Sequence, residues 1–188
     1  LACEEEFAAQ VAEQRALLER HFGVRPTTFR NTELILSPDV ARQVHALGFE
    51  LLVGEGADGL LRRPGQAERH PGQLFHVEGV PELPLLLRDY ERSDDIAFRF
   101  SNPGWDQHPL FAPTFARWLE ELPEERRVSG LFMDYETFGE HQPASTGVFE
   151  FMAEFLHLAD RSERLDFACP RELPARLAPT SALEIERP

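Results

Sequence analysis

The stretch Gly130-Leu131-Phe132-Met133-Asp134-Tyr135-Glu136-Thr137-Phe138-Gly139-Glu140-His141 passes from an apolar run straight into three acids, two aromatic rings and an imidazole. A buried strand ordinarily ends in solvated turn residues. Carboxylates crowded with rings at its C-terminal tip suit sugar cleavage on a parallel α/β barrel. Glu33, after Thr27-Thr28-Phe29-Arg30-Asn31-Thr32, is a second carboxylate placed where a strand gives way to a loop, and in a parallel barrel such positions share one face. A retaining glycosidase needs two carboxyls about 5 to 5.5 Å apart, one ionised as nucleophile and one protonated as acid. Loop carboxylates as a class more often cap helices or pair with surface cations, and strand position by itself leaves both readings open.

Other chemistry is less well supported. Gly54-Glu55-Gly56-Ala57-Asp58-Gly59 fits G-x-G-x-x-G after a strand, with Glu78 downstream, but Arg62-Arg63-Pro64-Gly65 interrupts the helix that would have to bind a pyrophosphate. Nicotinamide and flavin are therefore not expected. Glu136, Glu140 and His141 have the side chains of metal ligands without an H-E-x-x-H helix, so a sugar-binding or carboxylate-orienting role is preferred and no metal is expected. Trp105, in the breaker-rich loop Ser101-Asn102-Pro103-Gly104-Trp105, reads equally as a sugar platform or as a plug at the barrel rim, whereas Trp118 falls on a helix face and reads as core. There is no Gly-x-Ser-x-Gly elbow.

Composition narrows the field further. The 188 residues carry a net charge of −14, and all 19 basic residues are arginine. An acidic chain of this kind offers no general phosphate-binding surface, so nucleic acid and anionic membranes drop out as partners. The lack of lysine removes the P-loop and Schiff-base chemistry. Cys3 and Cys169 make neither a disulfide framework nor a zinc site, and a reducing, cytoplasmic setting is expected. No run approaches the roughly 20 apolar residues of a membrane helix.

The elements that must position these side chains follow from periodicity. Phe7, Ala8, Val11, Leu17 and Leu18 predict a helix from Glu4 to Phe22, stopped by Gly23. Thr27–Arg30 reads as a strand, Ser37-Pro38-Asp39 as the start of a helix ending at Gly48, and Phe49–Val53 as a second strand. Two such βα units in succession predict a parallel sheet covered by helices. Residues 59–82 are rich in breakers, with Leu74–Val77 a short strand; Pro84–Leu87 follows as another. Ser93-Asp94-Asp95 is expected to cap a helix to Phe100, and Phe111–Leu122 and Val148–Leu158 to form two more. Val128–Met133 is expected as the strand that delivers Asp134, Leu165–Phe167 as a last strand, and residues 179–188 as a frayed tail beyond a single domain of residues 1–178.

With these residues set out, the chain resembles the catalytic domain of glycoside hydrolase family 57, the α-amylase and 4-α-glucanotransferase group. Phe29-Arg30-Asn31-Thr32-Glu33-Leu34-Ile35 resembles the family region that ends in the nucleophilic glutamate, and Phe132–His141 the region bearing the acid/base aspartate. Glu55-Gly56-Ala57-Asp58 and Ser93–Ser101 are similar to further family segments. The resemblance implies an α/β fold that is part of a (β/α)7-type barrel with parallel strands. It implies retaining cleavage or transfer at α-1,4 bonds of glucans such as starch or glycogen, with Glu33 as nucleophile and Asp134 as general acid/base. Arg30, Asn31, Trp105, Tyr135, Glu136, Phe138 and His141 would line the substrate, and no cofactor is implied. Neither the family's opening His-Gln-Pro region nor its C-terminal helical region is found in residues 1–188; His141-Gln142-Pro143 belongs to the aspartate motif. This piece alone is thus expected to be weakly active or inactive, and to self-associate through an exposed sheet edge. The rival expectation is a non-catalytic glucan-binding or scaffold barrel fragment.

Overall fold

The computed structural model describes residues 3–62 and 69–185. Compactness divides the chain into two units: Leu1–Leu87 with Cys169–Pro188, and Arg88–Ala168.

In the first unit, helix α1 (Glu4–Phe22) is followed by strand β1 (Thr28–Arg30), helix α2 (Pro38–Ala46) and strand β2 (Leu51–Gly54). Ser37 caps α2 by accepting from the Val40 N–H at 3.2 Å, with Pro38 at the first helical position. A one-turn helix α3 (Asp58–Leu61) precedes a hairpin of β3 (Leu74–Val77) and β4 (Val80–Leu87). The two-residue connection, Glu78-Gly79, needs φ 83° at Gly79, which a residue without Cβ adopts freely. The sheet order is β1-β2-β4-β3-β5, with β5 being Ala182–Leu183. β1, β2 and β4 run parallel and β5 is parallel to β3, but β3 and β4 are antiparallel.

Two expectations are corrected here. Among the described residues the sheet is open and mixed, β3 running antiparallel to β4, so the strands are mostly parallel and not all parallel as the part of a barrel was expected to be. Residues 180–183, expected to fray, pair with β3: Thr180 donates to the Leu74 carbonyl at 2.8 Å and Glu78 to the Leu183 carbonyl at 2.9 Å. β2 is buried along its whole length, as a central strand covered on both faces must be. α1 contributes no buried residue. It is held instead by Phe7 against Phe29 and by Arg15, which lies 3.7 Å over the Phe49 ring and donates to the carbonyls of Leu47 and Pro26 at 2.7 and 3.2 Å.

The second unit contains helices α4 (Tyr90–Ala97), α5 (Ala112–Glu120) and α6 (Val148–Arg161). Its core is aromatic: Phe115 meets Phe151 at 5.8 Å and Phe155 at 5.0 Å, and Phe100 meets Phe151 at 4.9 Å. α4 starts earlier than expected, capped by Asp89, which accepts from the Arg92 N–H at 3.2 Å; Ser93 is buried inside the helix. The expected strand at Val128–Met133 is an extended segment without a ladder, and Leu165–Phe167 forms no strand. α7 (Leu173–Arg176), in the first unit, is a single turn after Pro170.

Candidate functional site

Glu33 follows β1 in a tight 3-10 turn, Thr32–Leu34. Glu33 and Leu34 stand at φ 52° and 53°, the left-handed region, where a side chain normally costs energy. Asn31 fixes this geometry three ways. Its Oδ1 accepts from the Thr32 N–H at 3.0 Å, its Nδ2 donates to the Ile35 carbonyl at 3.2 Å, and its own carbonyl accepts from Leu34 at 3.1 Å. Leu34 anchors the turn by burial, leaving Glu33 and Arg30 exposed. The chain then returns over the sheet: a Cβ placed on Gly54 would meet Leu36 Cδ2 at 3.0 Å, so glycine at the end of β2 lets this loop sit close.

Asp134 lies in the other unit, at the start of a second 3-10 turn, Tyr135–Thr137. The segment delivering it is suspended from the start of α4. Asp89 donates its N–H to the Gly130 carbonyl at 2.9 Å and accepts from the Ser129 hydroxyl at 2.8 Å. Ser93 Oγ accepts from the Phe132 N–H at 3.1 Å, and Arg88 Nε donates to the Phe132 carbonyl at 2.7 Å. These partners take the backbone groups a neighbouring strand would otherwise use, which is why an apolar run with strand character has no ladder.

After Asp134 the chain closes on itself. Glu140 and His141 both donate their N–H to the Glu136 carbonyl, at 3.2 and 3.0 Å, and Gln142 donates to the Thr137 carbonyl at 2.9 Å. Gln142, buried at 2% exposure, donates from Nε2 to the Ala97 carbonyl at 3.1 Å and locks the loop to α4. Asp134, Tyr135, Glu136, Glu140 and His141 are left exposed, Tyr135 at 95%. Phe138 differs: its ring is partly buried against the aromatic core, 6.5 Å from Phe149.

Trp105 and Trp118 are both half-buried, 6.4 Å apart edge to face, and Trp118, on α5, packs against the aromatic core. They share a cleft with Arg92, Arg99 and Asp95. Sequence reasoning passed over these three, although Arg92, Asp95 and Arg99 recur at the spacing that aligns one helix face. Asp95 is 3% exposed and receives Arg92 at 2.7 Å and Arg99 at 2.8 Å. Burial pushes its carboxyl above the ordinary range, while the two guanidiniums pull it back without cancelling the shift.

The dinucleotide reading fails on geometry. The helix after Gly54–Gly59 is the four-residue α3, and the Gly56 N–H that should face a phosphate donates instead to the Glu55 carboxylate at 2.9 Å. Among the described residues no group of three His, Cys, Asp or Glu is placed to hold a metal ion, and no helix is long and apolar enough to cross a membrane.

Residues 1–186 match the sequence model of Glycosyl hydrolase family 57. The chain belongs to that family. A relative from Methanocaldococcus jannaschii, named "Putative alpha-amylase", is 37% identical to this family 57 chain over 182 residues, which is 97% of the chain and 37% of the relative. The crystal structure of 4-α-glucanotransferase from Thermococcus litoralis superposes with a TM-score of 0.76 at 17% identity, covering 98% of this chain and 28% of that one. The family 57 chain therefore has the α/β fold, with a mostly parallel sheet, of part of that enzyme. It spans little more than a third of the length of its curated relative.

Proposed function

We propose that this family 57 chain carries the two reacting carboxylates of an α-glucan-active retaining glycosidase or transglycosylase, and that the protein containing it cleaves α-1,4-glucosidic bonds by double displacement. The carrying observation is Glu33: an acidic side chain at the end of a parallel strand, held at φ 52° by a purpose-built turn, inside the segment that resembles the family's nucleophile region. Backbone strain at a non-glycine residue persists where surrounding structure over-determines it, and such positions cluster at active sites.

In this mechanism the Glu33 carboxylate attacks the anomeric carbon while Asp134, protonated, donates its proton to the departing glycosidic oxygen. The carbon–oxygen bond breaks through an oxocarbenium-like transition state and a glycosyl ester forms on Glu33. Asp134, now a carboxylate, takes a proton from water or from the hydroxyl of an incoming sugar, which displaces Glu33 and restores both groups. Water gives hydrolysis and a sugar gives transfer. No cofactor is required, since the charge that develops is met by carboxylates. Arg30, Tyr135, Glu136 and His141, exposed beside the two acids in sequence, are the residues assigned to substrate binding.

The test is kinetic. In the full-length protein, Glu33→Gln and Asp134→Asn should each lower kcat on maltooligosaccharides by about 10³-fold or more while ligand binding persists. Near-normal turnover in either variant removes that residue from the mechanism.

A further inference from the structure

We propose that Gln142 is a positioning residue for the general acid: it ties the turn that follows Asp134 to the end of α4, the helix whose start holds the segment that precedes Asp134. The role of the acid rests on the proposed function; the ties are read from the structure. Most of residues 134–141 is exposed, so burial does little to hold the turn. Thr137 and Gln142 are its buried residues, both at 2% exposure, and the Phe138 ring adds a partly buried apolar hold.

A continuous line of hydrogen bonds joins that buried pair to the acid. The Asp134 carbonyl accepts from the Thr137 N–H at 3.1 Å, the Thr137 carbonyl accepts from the Gln142 N–H at 2.9 Å, and Gln142 Nε2 donates to the Ala97 carbonyl at 3.1 Å. Gln142 also closes the turn from its other side, its carbonyl accepting from the Gly139 N–H at 3.0 Å. Ala97 is the last residue of α4, where a helix leaves carbonyls without an intrahelical partner. An acceptor there calls for a donor, which fixes the orientation of the amide. Nε2 faces Ala97, and Oε1, also buried, has no partner among the described residues. The amide donor is therefore the side-chain group that places this turn. Just before the acid, the Phe132 N–H donates to Ser93 Oγ at 3.1 Å, and Ser93 lies near the start of α4. One helix thus sets both sides of Asp134. A general acid has to come within about 2.6–3.2 Å of the oxygen it protonates, and a displacement of about 1 Å forfeits that reach.

Loss of aim and loss of fold are separated by the leaving group. The sugar oxygen departing from maltoheptaose must be protonated, whereas fluoride leaves α-maltosyl fluoride without a proton from the acid. In the full-length protein, kcat/KM on both substrates is measured for wild type, Asp134→Asn, Gln142→Glu and Gln142→Met, the last keeping the length of the side chain without its donor. Gln142→Met should lose about 10- to 100-fold on maltoheptaose and less than about threefold on the fluoride. Gln142→Glu, compared with wild type at the same pH, should recover at acidic pH, where a protonated carboxyl donates to Ala97, and fall toward Gln142→Met as it ionises. Equal losses on the two substrates, unchanged activity on maltoheptaose in Gln142→Met, or Gln142→Glu no better than Gln142→Met at any pH would each overturn the role. Asp134→Asn tells the two readings apart. A selective loss there beside an unselective one in Gln142→Met removes Gln142 alone; an unselective loss in Asp134→Asn removes the acid, and this role with it.

Discussion

Glu33 and Leu34 together hold two left-handed backbone conformations without a glycine, a strain of about 1–3 kcal/mol each. The side chain that holds them is Asn31, whose amide is engaged with the turn at both ends. Its effect on substrate would therefore run through the aim of Glu33. Asn31→Ala should lower kcat about 10- to 100-fold with KM changed much less, because small displacements of a reacting group are costly. Asn31→Asp, which retains the acceptor for Thr32 but not the donor to Ile35, should fall between; steady-state kinetics on both variants checks this. The motif itself was readable as Phe29–Ile35, but the turn geometry was not, since nothing in a run free of glycine announces positive φ. Asp95 gives a pH prediction. Its folded-state carboxyl titrates above the unfolded value, so the folded state holds the proton more tightly and stability falls as pH rises through that interval. Denaturant midpoints measured from about pH 3.5 to 7 should show wild type losing stability relative to Asp95→Asn as pH increases, and a constant difference would refute the shift.

At the scale of elements, periodicity located the helices because their apolar faces are long and regular, as in the run through Phe115 and Leu119 or Val148 and Phe155. It failed where hydrogen-bond partners decide. Val128–Met133 has the composition of a strand, yet Asp89, Ser93 and Arg88 take its backbone groups, and no local pattern encodes partners some forty positions away. β4 was only half visible because Pro81 and Pro84 lie inside it. Proline cannot donate to a ladder, and the β3 register breaks at His76/Val77, where His76 faces Pro84. The helix that buries nothing makes its own prediction. α1 docks chiefly through Arg15, whose guanidinium spans three carbonyls, of Leu47, Pro26 and Gly48, and a phenyl face. Arg15→Ala should lower Tm by several degrees, about 1–3 kcal/mol, and Arg15→Lys should rescue little because an ammonium lacks the planar fork. Thermal melts of the two variants decide it; full rescue by lysine would reduce Arg15 to a simple charge.

At the scale of the whole molecule, the motifs carried the family and the family match spans residues 1–186, while the sheet among the described residues is an open, mostly parallel one. A sheet that closes depends on strands contributed from many parts of a chain, and this chain covers 37% of its relative and 28% of the glucanotransferase. Under the proposed mechanism, hydrolysis against transfer would be set by how well an acceptor sugar competes with water. The central claim, that Glu33 is the group forming the glycosyl bond, can be measured directly. Full-length protein bearing Asp134→Asn, which should slow release of the intermediate, is incubated with an activated 5-fluoro α-maltosyl fluoride, digested and mapped by mass spectrometry. The account predicts a covalent maltosyl adduct on the peptide containing Glu33, absent from Glu33→Gln; an adduct on a different carboxylate, or turnover of the fluoride with no adduct on any, contradicts it.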